Sequence, residues 1–364
     1  MNEKEQAIIE MIRQNPFLTQ KEMAETLNIS RPALANLISG LMKQGKIAGR
    51  AYVLHEEREI HCIGGANVDR KFHLQQNVQL GTSNPANAIE SVGGVSRNIA
   101  ENLGRLGHKV RLFTTAGKDA DWHTIETASQ SFMNLQSIEQ LPTHTTGSYS
   151  AILDPSGELV LAIANMDVYE ELTPAYLQTY EMLLSGSTLI VIDLNCPKET
   201  VQFIQRFAFD NQIPLAIVPV SSPKMNRMPD ELHGVTWVLC NLDEAEMYLK
   251  KTIKTNEEYH EAILELLAKG AKYAVITTGS NGVYFGSAED GVRHMPAVKA
   301  SSLEDVTGAG DAFVGATLHS WLEGLSLPQS IQAGLMNASK TLASPYTVRT
   351  ELSATRLIKE MEEL

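Results

Sequence analysis

The sequence predicts a small all-α unit closed by a hairpin, followed by a larger α/β unit built on a mainly parallel sheet. Three observations carry this expectation. Apolar residues recur at helical spacing up to Met42, and the period becomes strand-like beyond residue 59. Past that point, short apolar runs at 60–63, 110–115, 189–194, 215–220 and 237–241 alternate with helical segments, as strands buried on both faces do. Glycine-rich turns stand at the strand–helix junctions, where open parallel sheets bind ligands.

The first unit reads in order. Ile8, Ile9, Met11 and Ile12 give residues 3–14 one apolar helical face, and Asn15-Pro16 stops that helix. Thr19 followed by Glu22 is a capping box for a short helix that turns Met23, Ala24 and Leu27 inward. After the Asn28-Ile29 turn, Ser30 caps a third helix. Pro32 lies in its first turn, and Leu34, Leu37, Ile38, Leu41 and Met42 form its buried face. Residues 45–54 read as a hairpin. Helix, helix-turn-helix and hairpin make the plan of a winged helix-turn-helix, and the segment from Leu18 to Leu34 resembles the helix-turn-helix of bacterial regulators. The resemblance implies a DNA operator as partner. Arg31, Asn36, Ser39 and Lys43 would face the major groove, and Arg50 on the wing would touch phosphate.

Charge agrees with that division. Residues 1–52 hold seven Lys and Arg against five Glu, a net of +2, which leaves −15 of the chain's −13 for the remainder. The larger unit is too acidic to bind nucleic acid over a broad surface. No apolar run reaches bilayer-spanning length, and the N-terminus lacks the apolar core of a signal peptide. Cys62, Cys196 and Cys240 lie far apart without metal-ligand spacing, which reads as reduced thiols in a cytoplasmic protein. The expected boundaries are 1–54 for the first domain, a charged connector at 55–59, and 60–364 for the second.

The larger unit is organised around residues 305–313, Asp-Val-Thr-Gly-Ala-Gly-Asp-Ala-Phe. Gly308, Ala309 and Gly310 let backbone N–H groups converge on an anion at the start of a helix, where the dipole is positive. Asp311 follows, a carboxylate placed to take a proton from an attacking hydroxyl beside a transferring phosphate. A second signal spans 92–107. Gly93 and Gly94 permit close backbone approach, and Asn98, one turn into the next helix, offers a donor and an acceptor to a sugar hydroxyl. Residues 60–69 read as a buried strand, a glycine turn and two polar side chains, Asn67 and Asp69, suited to hydroxyl recognition. Residues 72–90 are polar with no helical stripe.

Gly93, Gly94, Asn98 and Ala100, together with Asp305 to Asp311, match the two signatures of ribokinase-like (PfkB) kinases, and the resemblance covers residues 60–364. It implies a three-layer ribokinase-like sandwich with a small β lid at about 70–90 and 145–166, ATP and Mg²⁺ as cofactors, and a homodimer formed through lid edges. Strands at 147–154 and 158–164 about the Pro155-Ser156-Gly157 turn fit the lid. Asn241 to Glu244 resembles the family's Asn-x-x-Glu motif near Mg²⁺ and phosphate, which assigns Asn241 to the nucleotide and Glu244 to the metal. Thr277, Gly279 and Gly282 resemble the nucleotide-binding turn, and Asn337 matches a position bordering adenine. Asp305 and Thr307 would border a monovalent-cation (K⁺) site.

Within the family, the segments 95–103, 161–167 and 193–195, with Pro219, Ser221 and Lys224, resemble pseudouridine kinases. This implies ATP-dependent phosphorylation of the 5′-hydroxyl of pseudouridine. Asp69, Asn98 and the Gly93-Gly94 backbone would hold the ribose, with Tyr149, Asn165 and Lys224 near the base. The alternatives are a kinase of the same fold acting on ribose, a ketohexose or another nucleoside such as uridine, and a transcriptional regulator whose kinase-like domain senses a ligand.

Overall fold

The computed structural model describes residues 3–15, 18–47, 58–304 and 306–363. The chain divides into two compact units, residues 1–58 and 59–364. The first contains helices α1 (Glu3–Gln14), α2 (Gln20–Thr26) and α3 (Arg31–Lys43). Thr19 and Glu22 cap α2 reciprocally, and Ser30 caps α3. Ile8, Ile12, Met23, Leu34, Ile38, Leu41 and Ile47 form its core. Met42, expected inside, is 41 % exposed, because the buried stripe of α3 is narrower than its apolar residues suggest. Arg31, Asn36, Ser39 and Lys43 are all exposed. Most of the expected hairpin, with Arg50, lies outside the described residues.

In the larger unit the strands are β1 (Ile60–Ile63), β2 (Asn67–Leu74), β3 (Ala86–Gly93), β4 (Val110–Gly117), β5 (Ile138–Leu141), β6 (Ser148–Leu153), β7 (Leu159–Asn165), β8 (Leu189–Asp193), β9 (Leu215–Val218), β10 (Trp237–Asn241), β11 (Tyr273–Thr277), β12 (Val283–Ser287) and β13 (Gly291–Met295). The helices are α4 (Val95–Arg105), α5 (Ala120–Ser129), α6 (Pro174–Gln178), α7 (Glu181–Leu184), α8 (Lys198–Asp210), α9 (Leu242–Leu249), α10 (Asn256–Ala268), α11 (Ala309–Leu322), α12 (Leu327–Leu342) and α13 (Ala354–Glu362). None is long and apolar enough to cross a membrane, among the described residues.

Nine strands form the main sheet in the order β13-β12-β11-β10-β9-β8-β1-β4-β5. Pairing is parallel from β5 through β11, and β12 and β13 add antiparallel at one edge. Side chains alternate between two cores. Ile190 and Ile192 of β8 face the layer of α8, α9 and α10, whereas Leu189 and Val191 face α4, α5, α11 and α12. After β1 the chain builds outward on one side through β4 and later returns to the other side through β8. The C-terminal ends of β1 and β8 therefore flank the switch point, where such sheets leave a crevice.

The second sheet, β3-β2-β6-β7, is the lid. It begins at Asn67, so Asn67 and Asp69 stand on its first strand. Residues 72–90, polar by sequence and assigned to the lid by the family resemblance, supply much of β2 and β3. Their side chains are largely half-buried or exposed, which erases the alternation a one-sided strand would show. Glu59, placed in the connector by sequence, belongs to this unit: Arg111 Nε donates to its Oε2 at 2.6 Å. The three cysteines are free and buried.

Candidate active site

The switch point brings together two helix N-termini that the sheet treats differently. Asp193, fully buried at the end of β8, accepts through Oδ2 from Gly65 N (2.9 Å) and Ser96 N (3.0 Å), and through Oδ1 from Asn195 N (2.8 Å). The first turn of α4 is therefore already satisfied by a carboxylate from another strand. Its N-cap, Gly94, has φ 101°, and a Cβ there would lie 2.4 Å from the Gly65 carbonyl oxygen, so only glycine fits. Helix α11 is the converse case. Its N-cap, Gly308, makes no side-chain capping bond, so the positive end of that helix is the one available to an anion.

Asp311 sits in the first turn of α11. Asn98 Nδ2 donates to its Oδ2 at 2.8 Å, and Arg97 Nη1 donates to Asn98 Oδ1 at 3.1 Å. A guanidinium can only donate, so Arg97 fixes the amide with its nitrogen toward Asp311. Arg97 is itself buried, paired with Glu101 and bonded through Nε to Ser129 Oγ at 3.0 Å. Burial pushes the Asp311 carboxyl up to about 7, against the lowering effect of the Asn98 bond, and the charges of Asp193, Asp69 and Glu244 push the same way. A carboxyl titrating near neutrality is suited to proton transfer at pH 7.

Asp69 faces the same region from the lid. Asn67 Nδ2 donates to its Oδ1, and a Cβ on Gly93 would lie 2.2 Å from its Oδ2. The missing side chain at 93 is what admits the carboxylate. Tyr149, on β6, pairs in register with Asp69, and Asn165, exposed at the end of β7, donates to Thr145 Oγ1 at 2.9 Å. Lys224, half-buried, donates to Asn195 Oδ1, and burial lowers its pKa.

Asn241 and Thr277 are register neighbours at the ends of β10 and β11, on the sheet edge that also carries Asp193, and Gly279 follows exposed. Asn241 and Glu244 cap α9 reciprocally, at 2.8 and 2.9 Å, and burial raises the Glu244 pKa.

One sequence expectation is corrected here. Asn337 does not border an open adenine site: it is fully buried, its Nδ2 donates to Asn102 Oδ1 and Ala312 O (both 2.9 Å), and its Oδ1 accepts from Arg349 Nε (2.8 Å). At Gly282 the backbone passes closely, with φ 93°, and a Cβ there would lie 2.1 Å from Met295 O. Asn98 gives one N–H to Asp311 and one oxygen lone pair to Arg97, which leaves it a second N–H and a second lone pair. Asp305 lies outside the described residues; Thr307 Oγ1 accepts from Lys71 Nζ of the lid at 3.3 Å.

Sequence reasoning gave no role to Asp193, Arg97 or Tyr169. Tyr169 OH donates to Ala66 O and accepts from Ala66 N at 3.1 Å, pinning the entry to the lid. The detectable signal for Asp193 was an acidic residue closing a fully apolar strand.

A carboxylate beside an uncapped helix N-terminus, at the switch point of a parallel sheet and under a β lid, defines the class as a small-molecule kinase. The chain belongs to the pfkB family of carbohydrate kinases, whose family profile matches residues 57–353. A winged helix-turn-helix DNA-binding profile matches residues 1–48. Along 97 % of both chains it is 29 % identical to an uncharacterized sugar kinase of Escherichia coli. It is 28 % identical to a pseudouridine kinase of the same organism, over 85 % of this chain and 98 % of that one. Identity to a guanosine-inosine kinase of Exiguobacterium acetylicum is 27 %, over 79 % and 95 %. Among solved structures, a carbohydrate kinase from Agrobacterium tumefaciens superimposes with a TM-score of 0.73 at 27 % identity, covering 84 % of this chain and 97 % of that one. The ribokinase of Arabidopsis thaliana, solved with ribose and ATP, gives 0.76 at 16 % identity, covering 84 % and 99 %.

Proposed function

We propose that the protein transfers the γ-phosphoryl group of ATP to the 5′-hydroxyl of pseudouridine, giving pseudouridine 5′-phosphate and ADP. The observation that carries the chemistry is Asp311, half-buried at the uncapped start of α11 and held by Asn98. Support for the substrate comes from the Val95–Leu103 and lid segments and from similarity to pseudouridine kinases of two organisms.

In this reading Asn67, Asp69, Asn98 and the Gly93-Gly94 backbone hold the ribose, with Tyr149, Asn165 and Lys224 toward the base. Asp311 accepts the 5′-hydroxyl proton as the oxygen attacks phosphorus. The N–H groups of Gly308, Ala309 and Gly310 stabilise charge on the transferring group. Asn241, Thr277 and Gly279 lie toward the nucleotide. Glu244, whose charge reaches Asp311, is the carboxylate that would stand toward a divalent cation on the ATP phosphates. Mg²⁺ would supply neutralisation of the phosphate charge. Closure of the lid over the site excludes water.

A panel of pseudouridine, uridine, guanosine, inosine, ribose and fructose with coupled ADP detection tests the substrate. Preference for any other member over pseudouridine overturns that assignment while leaving the kinase chemistry standing.

The N-terminal unit acts in this proposal as an operator-binding module, through Arg31, Asn36, Ser39, Lys43 and Arg50. Removing residues 1–54 then leaves kinase activity intact and abolishes salt-sensitive DNA binding. Full-length protein that retards no DNA fragment refutes the module's role. The apolar outer strand β7, with Leu159, Leu161 and Ile163 each at least half exposed, supports a homodimer, checked by sedimentation.

A further inference from the structure

Away from the proposed catalytic centre, the far ends of α4 and α11 carry a second cluster of chemistry-bearing side chains. His108 follows the Gly107 turn that ends α4, where φ is 97°. His319 lies on α11, and Glu323 closes that helix four residues later, on the same face. The two rings meet edge to face, with centroids 5.0 Å apart and His108 Nε2 2.8 Å from His319 Nδ1. One ligand atom from each of the three residues lies within 4.8 Å of the others. Among the described residues no other group of three His, Cys, Asp or Glu side chains converges in this way. His319 is 6 % exposed, His108 half-buried and Glu323 exposed, so the cluster has two fixed imidazoles and one carboxylate free to swing in from solvent.

We propose that His108, His319 and Glu323 form a binding site for a first-row divalent metal ion of the Zn²⁺ type. Two imidazoles and a carboxylate suit Zn²⁺, whereas Mg²⁺ prefers oxygen donors. Tetrahedral Zn²⁺ bonded at about 2.0–2.1 Å holds its ligand nitrogens about 3.3 Å apart, so the rings need part by only about 0.5 Å. The exposed side leaves the fourth position to water. The site is separate from Asp311: eight residues of helix, about 12 Å along the axis, lie between Asp311 and His319. Its consequence is mechanical. The ion ties the turn after α4 to the end of α11, and these are the two helices whose opposite ends present Asn98 and Asp311.

The test uses full-length protein stripped with EDTA. Titration with Co²⁺ should give the visible absorption of a tetrahedral site at one equivalent, displaced by Zn²⁺, and Zn²⁺ should raise the melting temperature. Glu323→Gln, a substitution at an exposed position, should weaken binding at least tenfold with the fold unchanged by circular dichroism. His108→Gln and His319→Gln should abolish it, and kinase turnover should stay at the wild-type level in Glu323→Gln. Absence of saturable binding to the wild type overturns the proposal, the two rings then being a self-sufficient hydrogen-bonded pair. Undiminished binding in both Glu323→Gln and His108→Gln overturns it equally, by placing the metal elsewhere.

Discussion

Asp311→Asn separates what the carboxylate does for turnover from what it costs the fold. The substitution preserves volume and leaves an oxygen to accept from Asn98 Nδ2, so the pocket need not rearrange. It removes a group whose pKa rises from an ordinary 3.8 to about 7 on folding. Between those values the folded chain binds more protons than the unfolded chain, so stability falls as pH rises through that window, and the loss is complete above pH 7. The interval corresponds to on the order of 4 kcal/mol. Partial access to solvent relieves some of it, so the variant should be about 2–4 kcal/mol more stable than wild type at pH 8 and about 1–2 kcal/mol at pH 5, measured by urea unfolding. Turnover should drop by a factor of about 10² to 10⁴, the usual worth of a general base. In the wild type, kcat/KM should climb about tenfold per pH unit below 7 and level off above it. Wild-type turnover in the variant refutes the assignment of the base. A variant no more stable than wild type at pH 8 refutes the electrostatic account.

Arg97→Met frees the Asn98 amide to turn over, so kcat should fall at least tenfold with KM little changed and the pH profile displaced; an unaltered profile assigns Arg97 to packing alone. Gly94→Ala drives a methyl into the Gly65 carbonyl, and soluble, fully active protein would contradict the close approach described. Glu360→Gln removes the nearer charge partner of the fully buried Arg349, whose Nη1 and Nη2 donate to Glu360 at 2.8 and 2.7 Å, and leaves the exposed Glu351 at 3.8 Å. A loss of about 3 kcal/mol is expected in thermal unfolding, and an unchanged melting temperature argues against the pair.

Legibility in the sequence followed the range of the interaction. The caps at Thr19, Ser30 and Asn241, the apolar strands and the glycine turn before Asp311 obey rules that act within a few residues, and they read directly. The lid strands β2 and β3 were expected only from the family resemblance, because their side chains share no consistently buried face to mark them. Asp193 was out of reach for a different reason: it caps a helix that begins about a hundred residues earlier, and nothing local marks that partnership. Asn337 misled because position along a helix says nothing about which neighbours claim its amide. Asn98 was identified by its motif, but its partner Asp311 is 213 residues away, so its role became visible only in space.

Asn102 Nδ2 donates to the Asn98 backbone carbonyl, Asn337 Nδ2 donates to Asn102 Oδ1, Arg349 Nε donates to Asn337 Oδ1, and Arg349 is paired with Glu360 on α13. The Asn98–Asp311 pair of the larger unit is thus braced from α13, whereas residues 1–58 form a compact unit of their own. A chain cut before α13 should therefore lose this brace while the helical core of the first unit stays whole.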